Sequence, residues 1–171
     1  DSRRWELLNC LRAEAVKTME ALDRSHIHSV THGSIARGDV SEKSDIDVFI
    51  PYVLPAFNVE IALENQGIPV NRRILVQATP NYAAKAYIEI DQRICVSFPL
   101  VKLRPIERDF YKFGGEITLS MLKEKTRMMG VDKRLMLIEP TPLGHIESAI
   151  IGREETVAHL LHVSLDIVFD R

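Results

Sequence analysis

The run Thr31-His32-Gly33-Ser34-Ile35-Ala36-Arg37-Gly38-Asp39, followed by Ser44-Asp45-Ile46-Asp47-Val48-Phe49-Ile50, decides how this chain is read. Residues 26–32 alternate around Ile27 and Val30 and predict a strand, which Gly33-Ser34 ends. Glycine carries no Cβ, so backbone at Gly33 can approach an anion closely. A helix starting there presents free N–H groups and a positive dipole end. Ser34 adds a hydroxyl donor, and Arg37, one turn on, adds a guanidinium fork. Gly33, Ser34 and Arg37 thus read as a cradle for phosphate. The apolar run 46–50 predicts a second strand, and Asp45 and Asp47, two residues apart, leave it on the same face. Two neighbouring carboxylates repel unless a cation lies between them, and Mg²⁺ (or Mn²⁺) answers that need.

This pattern resembles the Gly-Ser … Asp-x-Asp signature of the DNA polymerase beta nucleotidyltransferase superfamily. It is similar in particular to archaeal CCA-adding enzymes and to small stand-alone nucleotidyltransferases of archaea and bacteria. The match is tight over residues 31–50 and follows the order of elements over residues 26–103. The resemblance implies an α/β (α+β) fold, a mixed sheet flanked by helices. It also implies an activity: transfer of a nucleoside monophosphate from a nucleoside triphosphate to a hydroxyl acceptor such as RNA, a protein side chain or a small molecule. Asp45 and Asp47 would be metal-binding and catalytic, with Gly33, Ser34 and Arg37 on the nucleotide. The family supplies a third carboxylate from a later strand, a few residues before a proline. Here that position falls on Val96 or Ser97, ahead of Pro99, and neither is an acid. Glu89 and Asp91 are the nearest acids, on the arm and tip of a predicted hairpin, with Glu89 the candidate catalytic substitute. The alternative is a catalytically degenerate regulator that binds nucleotide together with nucleic acid or a protein partner.

Outward from the motif, Trp5, Leu8, Leu11, Ala15, Met19 and Leu22 recur at three- and four-residue spacing and predict an amphipathic helix over 2–24. A helix is expected at 56–66, ending at Gly67, and strands at 72–78, 86–90 and 94–98, the last two forming a hairpin. Beyond a Gly114-Gly115 break a helix is expected at 116–128, then a strand pair at 134–139 and 146–151. The tail, 154–171, predicts two short helices. Val157, Ala158 and Leu161 face a core on the first, and Val163 and Ser164 form the turn and N-cap. This is a candidate truncated helix-turn-helix for reading DNA or RNA, or a helical hairpin used for packing; His162 stands where such motifs carry glycine. Three units are expected: a core at 1–103, an extension with the strand pair at 104–152 and the helical tail at 153–171.

Composition bounds the rest. No stretch reaches the ~18–20 apolar residues of a membrane span. Cys10 and Cys95 lie in apolar surroundings and read as buried thiols, and no secretory leader is visible, so a cytoplasmic protein is expected. Residues 100–135 hold 9 basic and 5 acidic side chains, a local excess that suits phosphates or simply a solvated face. Residues 136–171 hold 2 basic and 6 acidic, which argues against strong phosphate contact by the tail alone. His159 and His162 have helical spacing, but nothing completes a zinc set around them.

Overall fold

The computed structural model describes all 171 residues. The chain runs α1 (Ser2–Asp23), β1 (Val30–His32), α2 (Ser34–Arg37), β2 (Ile46–Phe49), α3 (Ala56–Glu64), β3 (Arg72–Val76), β4 (Lys85–Glu89) and β5 (Ile94–Pro99). It continues through α4 (Pro105–Phe113), β6 (Glu116–Thr118), α5 (Leu119–Lys123), β7 (Gly130–Val131), β8 (Met136–Thr141), β9 (Gly144–Ala149), α6 (Glu154–Leu161) and α7 (Leu165–Phe169). The first sheet has the order β3-β4-β5-β2-β1-β6, with β2 and β5 parallel and every other pair antiparallel. A second, three-stranded sheet has the order β7-β8-β9. No helix is long and apolar enough to cross a membrane.

Alternation sorts the side chains of the first sheet onto two faces. Ile46 and Val48 of β2, Ile94, Val96 and Phe98 of β5, and Ile88 of β4 belong to the main core, together with Leu8, Leu11, Met19 and Leu22 of α1 and Val59 and Leu63 of α3. The other face carries Asp47 and Phe49, Cys95 and Ser97, Tyr87 and Glu89. Part of that face is covered by α4, where Tyr111 stacks on Phe49 with ring centroids 3.7 Å apart. A second core joins Phe113 of α4, Val131, Leu137, and Val157, Leu161, Ile167 and Val168 of the tail.

The expected helix at 116–128 is replaced by a strand and a five-residue helix. The Gly114-Gly115 turn sends the chain back to the free edge of β1, and pairing there outweighs helix propensity. The Thr118 hydroxyl then caps α5 by accepting from the Met121 N–H. The first sheet therefore takes its sixth strand from beyond residue 103. In the tail, α6 and α7 form a helical hairpin, and His162 takes the left-handed conformation (φ 53°) that glycine would adopt without strain. The Ser164 N–H donates to Asp109 on α4. Cys10 is exposed, a correction to the buried thiol expected, because it lies off the apolar stripe of α1. Both cysteines are free.

Four glycines meet where the two sheets join. The Gly33 N–H donates to the Gly115 carbonyl at 3.0 Å. Gly130, which opens β7, lies flat against the Gly114-Gly115 peptide, and a Cβ there would stand 2.4 Å from two of its backbone atoms. Neither backbone has a flexible end to yield. Gly130→Ala is therefore expected to cost about 3 kcal/mol, the upper part of the usual overpacking range. Chemical denaturation measures this, and a midpoint equal to wild type would show that the two backbones separate freely.

Candidate active site

The cradle expected from sequence is built as a sharp turn between β1 and α2. Gly33 holds φ 82°, ψ −146°, a region that side-chain-bearing residues avoid. Ser34 is the first residue of α2, whose leading N–H groups have no intrahelical acceptor. The Ser34 hydroxyl donates to Ser44 Oγ at 3.1 Å, and Ser44 Oγ also accepts from the Ser41 N–H. These bonds draw the cradle against the loop that leads to Asp45. The Thr31 hydroxyl donates to the Asp47 carbonyl and so locks β1 to β2 beside the carboxylates. Buried Arg12 of α1 donates to the Ile35 and Ala36 carbonyls of α2 and to the Thr126 carbonyl, fixing the back of the turn.

Asp45, exposed, and Asp47, partly buried, both line a cleft of about 580 Å³. Burial, and then the neighbouring Asp45 charge, raise the Asp47 carboxyl above the ordinary carboxylate range. This is the electrostatic condition that a bound cation relieves. The chain contains no group of three His, Cys, Asp or Glu side chains placed to share one ion. Two adjacent carboxylates nevertheless fit a Mg²⁺ ion that takes its remaining oxygens from water and phosphate, as that ion usually does.

Of the two positions expected for a third carboxylate, the register turns Val96 away and leaves Ser97 on the face of Asp47. Asp47 pairs with Cys95, and Phe49 with Ser97. Val96 therefore points to the opposite face, where it is fully buried in the main core. The residue beside Asp47 on the site face is Cys95. Burial, then the charges of Asp47 and Glu89, push its thiol up to about 12, so it is a neutral thiol at physiological pH. Glu89 pairs with Cys95 from β4, on the same face and one strand further out, where Arg72 grips it. Asp91 lies at the hairpin tip and accepts from the Arg93 and Ile94 N–H groups.

Arg37 is not the phosphate fork expected of it. It is buried, its Nε and Nη2 donate to the two oxygens of Asp39, and its Nη1 donates to the Gly114 carbonyl. It braces the turn. The basic excess of residues 100–135 is also largely committed. Arg104 pairs with Glu107, Arg108 with Glu116, Lys123 with Glu20, and Arg134 with Asp132 and Glu147. Arg127 donates to the Gly144 and Thr141 carbonyls. Lys133, exposed on the turn between β7 and β8, has no ion-pair partner, and its charge acts on Asp47 to favour the ionised form. Sequence reading missed Lys133 because nothing local ties it to a site assembled around residues 33–47.

His32, next to the cradle, meets Tyr111 edge-on at 4.8 Å. Burial, then the charges of Lys85 and Arg37, lower it from the usual 6.5 to about 4. The folded protein thus refuses a proton that the unfolded chain accepts, and stability falls as pH drops from 6.5 towards 4. His32 contributes about 2 kcal/mol to that fall once its partial exposure is allowed for. Asp47, whose carboxyl is raised, contributes with the opposite sign, so the comparison must be between wild type and His32→Gln. Urea unfolding at pH 7 and pH 4.5 is expected to show a smaller acid loss in the variant. Equal losses would remove His32 as the source.

The site thus combines a mixed sheet, a glycine-serine turn at one strand end and paired aspartates on the next strand. The family described as the nucleotidyltransferase domain matches residues 13–127, and the chain belongs to that family. Comparisons with curated proteins and with solved structures returned no match.

Proposed function

We propose that the protein is a metal-dependent nucleotidyltransferase that moves a nucleoside monophosphate from a nucleoside triphosphate to a hydroxyl acceptor. The observation that carries this reading is the placement of Asp45 and Asp47 beside the Gly33-Ser34 turn, with the Asp47 carboxylate electrostatically poised for a cation. A Mg²⁺ or Mn²⁺ ion held by the two aspartates would neutralise the triphosphate and polarise its α-phosphorus. Gly33 and the N–H groups at the start of α2 would seat the phosphates, with Ser34 as a further donor. Lys133 takes the role first expected of Arg37, a free cation for the phosphate chain. In the transfer, the acceptor oxygen bonds to the α-phosphorus as the bond to the β-phosphate oxygen breaks, and pyrophosphate leaves. The acceptor proton passes to solvent or to a carboxylate of the site. RNA, a protein side chain or a small molecule would be the acceptor, with DNA or RNA as a candidate partner, and the free thiols suit a reducing cytoplasm.

The test has two arms. Calorimetry is expected to show ATP binding with Mg²⁺ and at least tenfold weaker binding with EDTA. Incubation with α-labelled nucleotides is then expected to transfer label to cellular RNA or protein. Binding indifferent to metal would overturn the reading. Metal-dependent binding with no transfer to either acceptor pool would favour the second reading, a nucleotide-binding regulator, which the neutral Cys95 beside Asp47 supports.

A further inference from the structure

The margin of the first sheet carries an apolar run that nothing covers. β3 ends the sheet beyond β4, and it is the only strand of that sheet with no buried side chain. Yet its run Ile74-Leu75-Val76 is the kind of sequence that packs against a neighbour. Leu75 is 74% exposed. Arg73 and Leu75 are register partners of Ile88 and Ala86, so they share the helix-side face of the sheet. There Arg73 pairs with Glu60 of α3. α3 buries Val59, Ala62 and Leu63 and turns Phe57, Glu60 and Ile61 outward along this flank, with Phe57 67% exposed.

A bare strand edge is normally guarded by charges that reach past it or by a covering loop. Here both charges of β3 are drawn back onto their own chain, Arg72 by Glu89 and Arg73 by Glu60. The outward N–H and C=O groups of the strand are left open. Phe57, Ile61, Leu75 and Val76 together expose roughly 400 Å² of apolar side chain, near the upper end of what a monomer leaves in one patch. Two such patches and two strand edges reach the ~1,000 Å² that specific association needs. The sequence of the edge also suits itself. In an antiparallel pair centred on Ile74, Arg72 lies across from Val76 of the second copy and Arg73 across from Leu75, so arginine stems cover aliphatic side chains. An in-register parallel pair would set arginine against arginine. The antiparallel pair is also closed, because each copy spends its one edge on the other.

We propose that β3 pairs antiparallel with β3 of a second copy of this chain about Ile74, with Phe57 and Ile61 of the two α3 helices packing across the same two-fold axis. The axis of an antiparallel pair runs perpendicular to the sheet. The two six-stranded sheets therefore become one, and both clefts open on the same face of it. This assembly is independent of the nucleotidyltransferase reading, and either can fail without the other.

Sedimentation equilibrium of the full chain tests the assembly. Wild type is expected at twice the mass of one chain, dissociating on dilution. Leu75→Glu and Phe57→Glu change exposed positions, so both variants should fold, as circular dichroism will check, and each is expected to weaken self-association at least tenfold. Cross-linking then reads the register, in a Cys10→Ser/Cys95→Ser background. Facing residues of an antiparallel pair have Cα atoms about 5 Å apart, within disulfide range, so Ile74→Cys is expected to link two chains under mild oxidation. Val76→Cys, about 14 Å from its counterpart, is expected to stay reduced. A monomeric wild type would overturn the proposal and leave this face to a partner of another sequence. A dimer that survives Leu75→Glu would place the interface elsewhere. A dimer that Leu75→Glu splits, but that Ile74→Cys links no better than Val76→Cys, would overturn the two-fold about Ile74.

Discussion

Metal-dependent nucleotide affinity is expected to collapse in the double variant Asp45→Ala/Asp47→Ala, by at least a hundredfold in calorimetry with Mg²⁺ and ATP. Each carboxylate is a charged ligand worth about 1.5–3 kcal/mol when its partner is charged, and the two act on the same ion. The fold should not suffer. The Asp47 carboxyl is raised by burial and by Asp45, so its ionised form opposes folding at neutral pH. Asp47→Asn alone is therefore expected to stabilise the protein while it weakens the site, the exchange of stability for function often found where like charges are gathered. A double variant that folds and binds Mg²⁺–ATP like wild type would end the assignment of these aspartates.

The second large effect separates two neighbours on β5. Val96→Asp is expected to unfold the domain, because Val96 is fully buried in the main core between Val48 and Ile88 and a carboxylate there meets no partner. The cost is several kcal/mol, comparable with the whole stability of a small domain. Cys95→Asp is expected to fold and to increase transfer of label at least tenfold, since it places a fixed carboxylate beside Asp47 where the register puts Cys95. The same forces that push the Cys95 thiol up to about 12 will resist a third anion, so the variant should depend on cation. Thermal unfolding with and without Mn²⁺ reads this directly, as a larger metal-induced rise in Tm than in wild type. A Cys95→Asp protein that folds, shows no such rise and transfers no faster would show that the ligand position lies elsewhere.

The parts of the site that were legible in sequence are those in which a local rule acts alone. Gly33-Ser34 ends a strand and opens a helix within a few residues, and Asp45 and Asp47 share a face because they are two apart. The family follows from these, and so does the mixed sheet. What escaped depends on distant partners. Arg37 reads as a phosphate ligand by its spacing, yet its acceptors include the carbonyl of Gly114, 77 residues away. Val96 differs from Cys95 and Ser97 by the parity of the strand pairing, which one chain read alone does not fix. Residues 116–118 look helical until the vacant edge of β1 is known. Lys133 acquires meaning only when β7 is laid against the Gly114-Gly115 turn. Where His162 departs from the expected glycine, the chain keeps the left-handed turn and accepts the strain.

The contact of Gly130 with the Gly114-Gly115 peptide also bears on modularity. The stretch that matches the family stops at residue 127, three residues short of this contact. A chain trimmed there would lose the backbone that holds Gly115 in place, and Gly115 in turn accepts from Gly33. The segment that matches the family therefore stops short of a contact that supports its own Gly33-Ser34 turn. The second sheet is a foundation of this domain, and swapping it for an unrelated C-terminal module is expected to preserve the motif in the sequence while losing its shape.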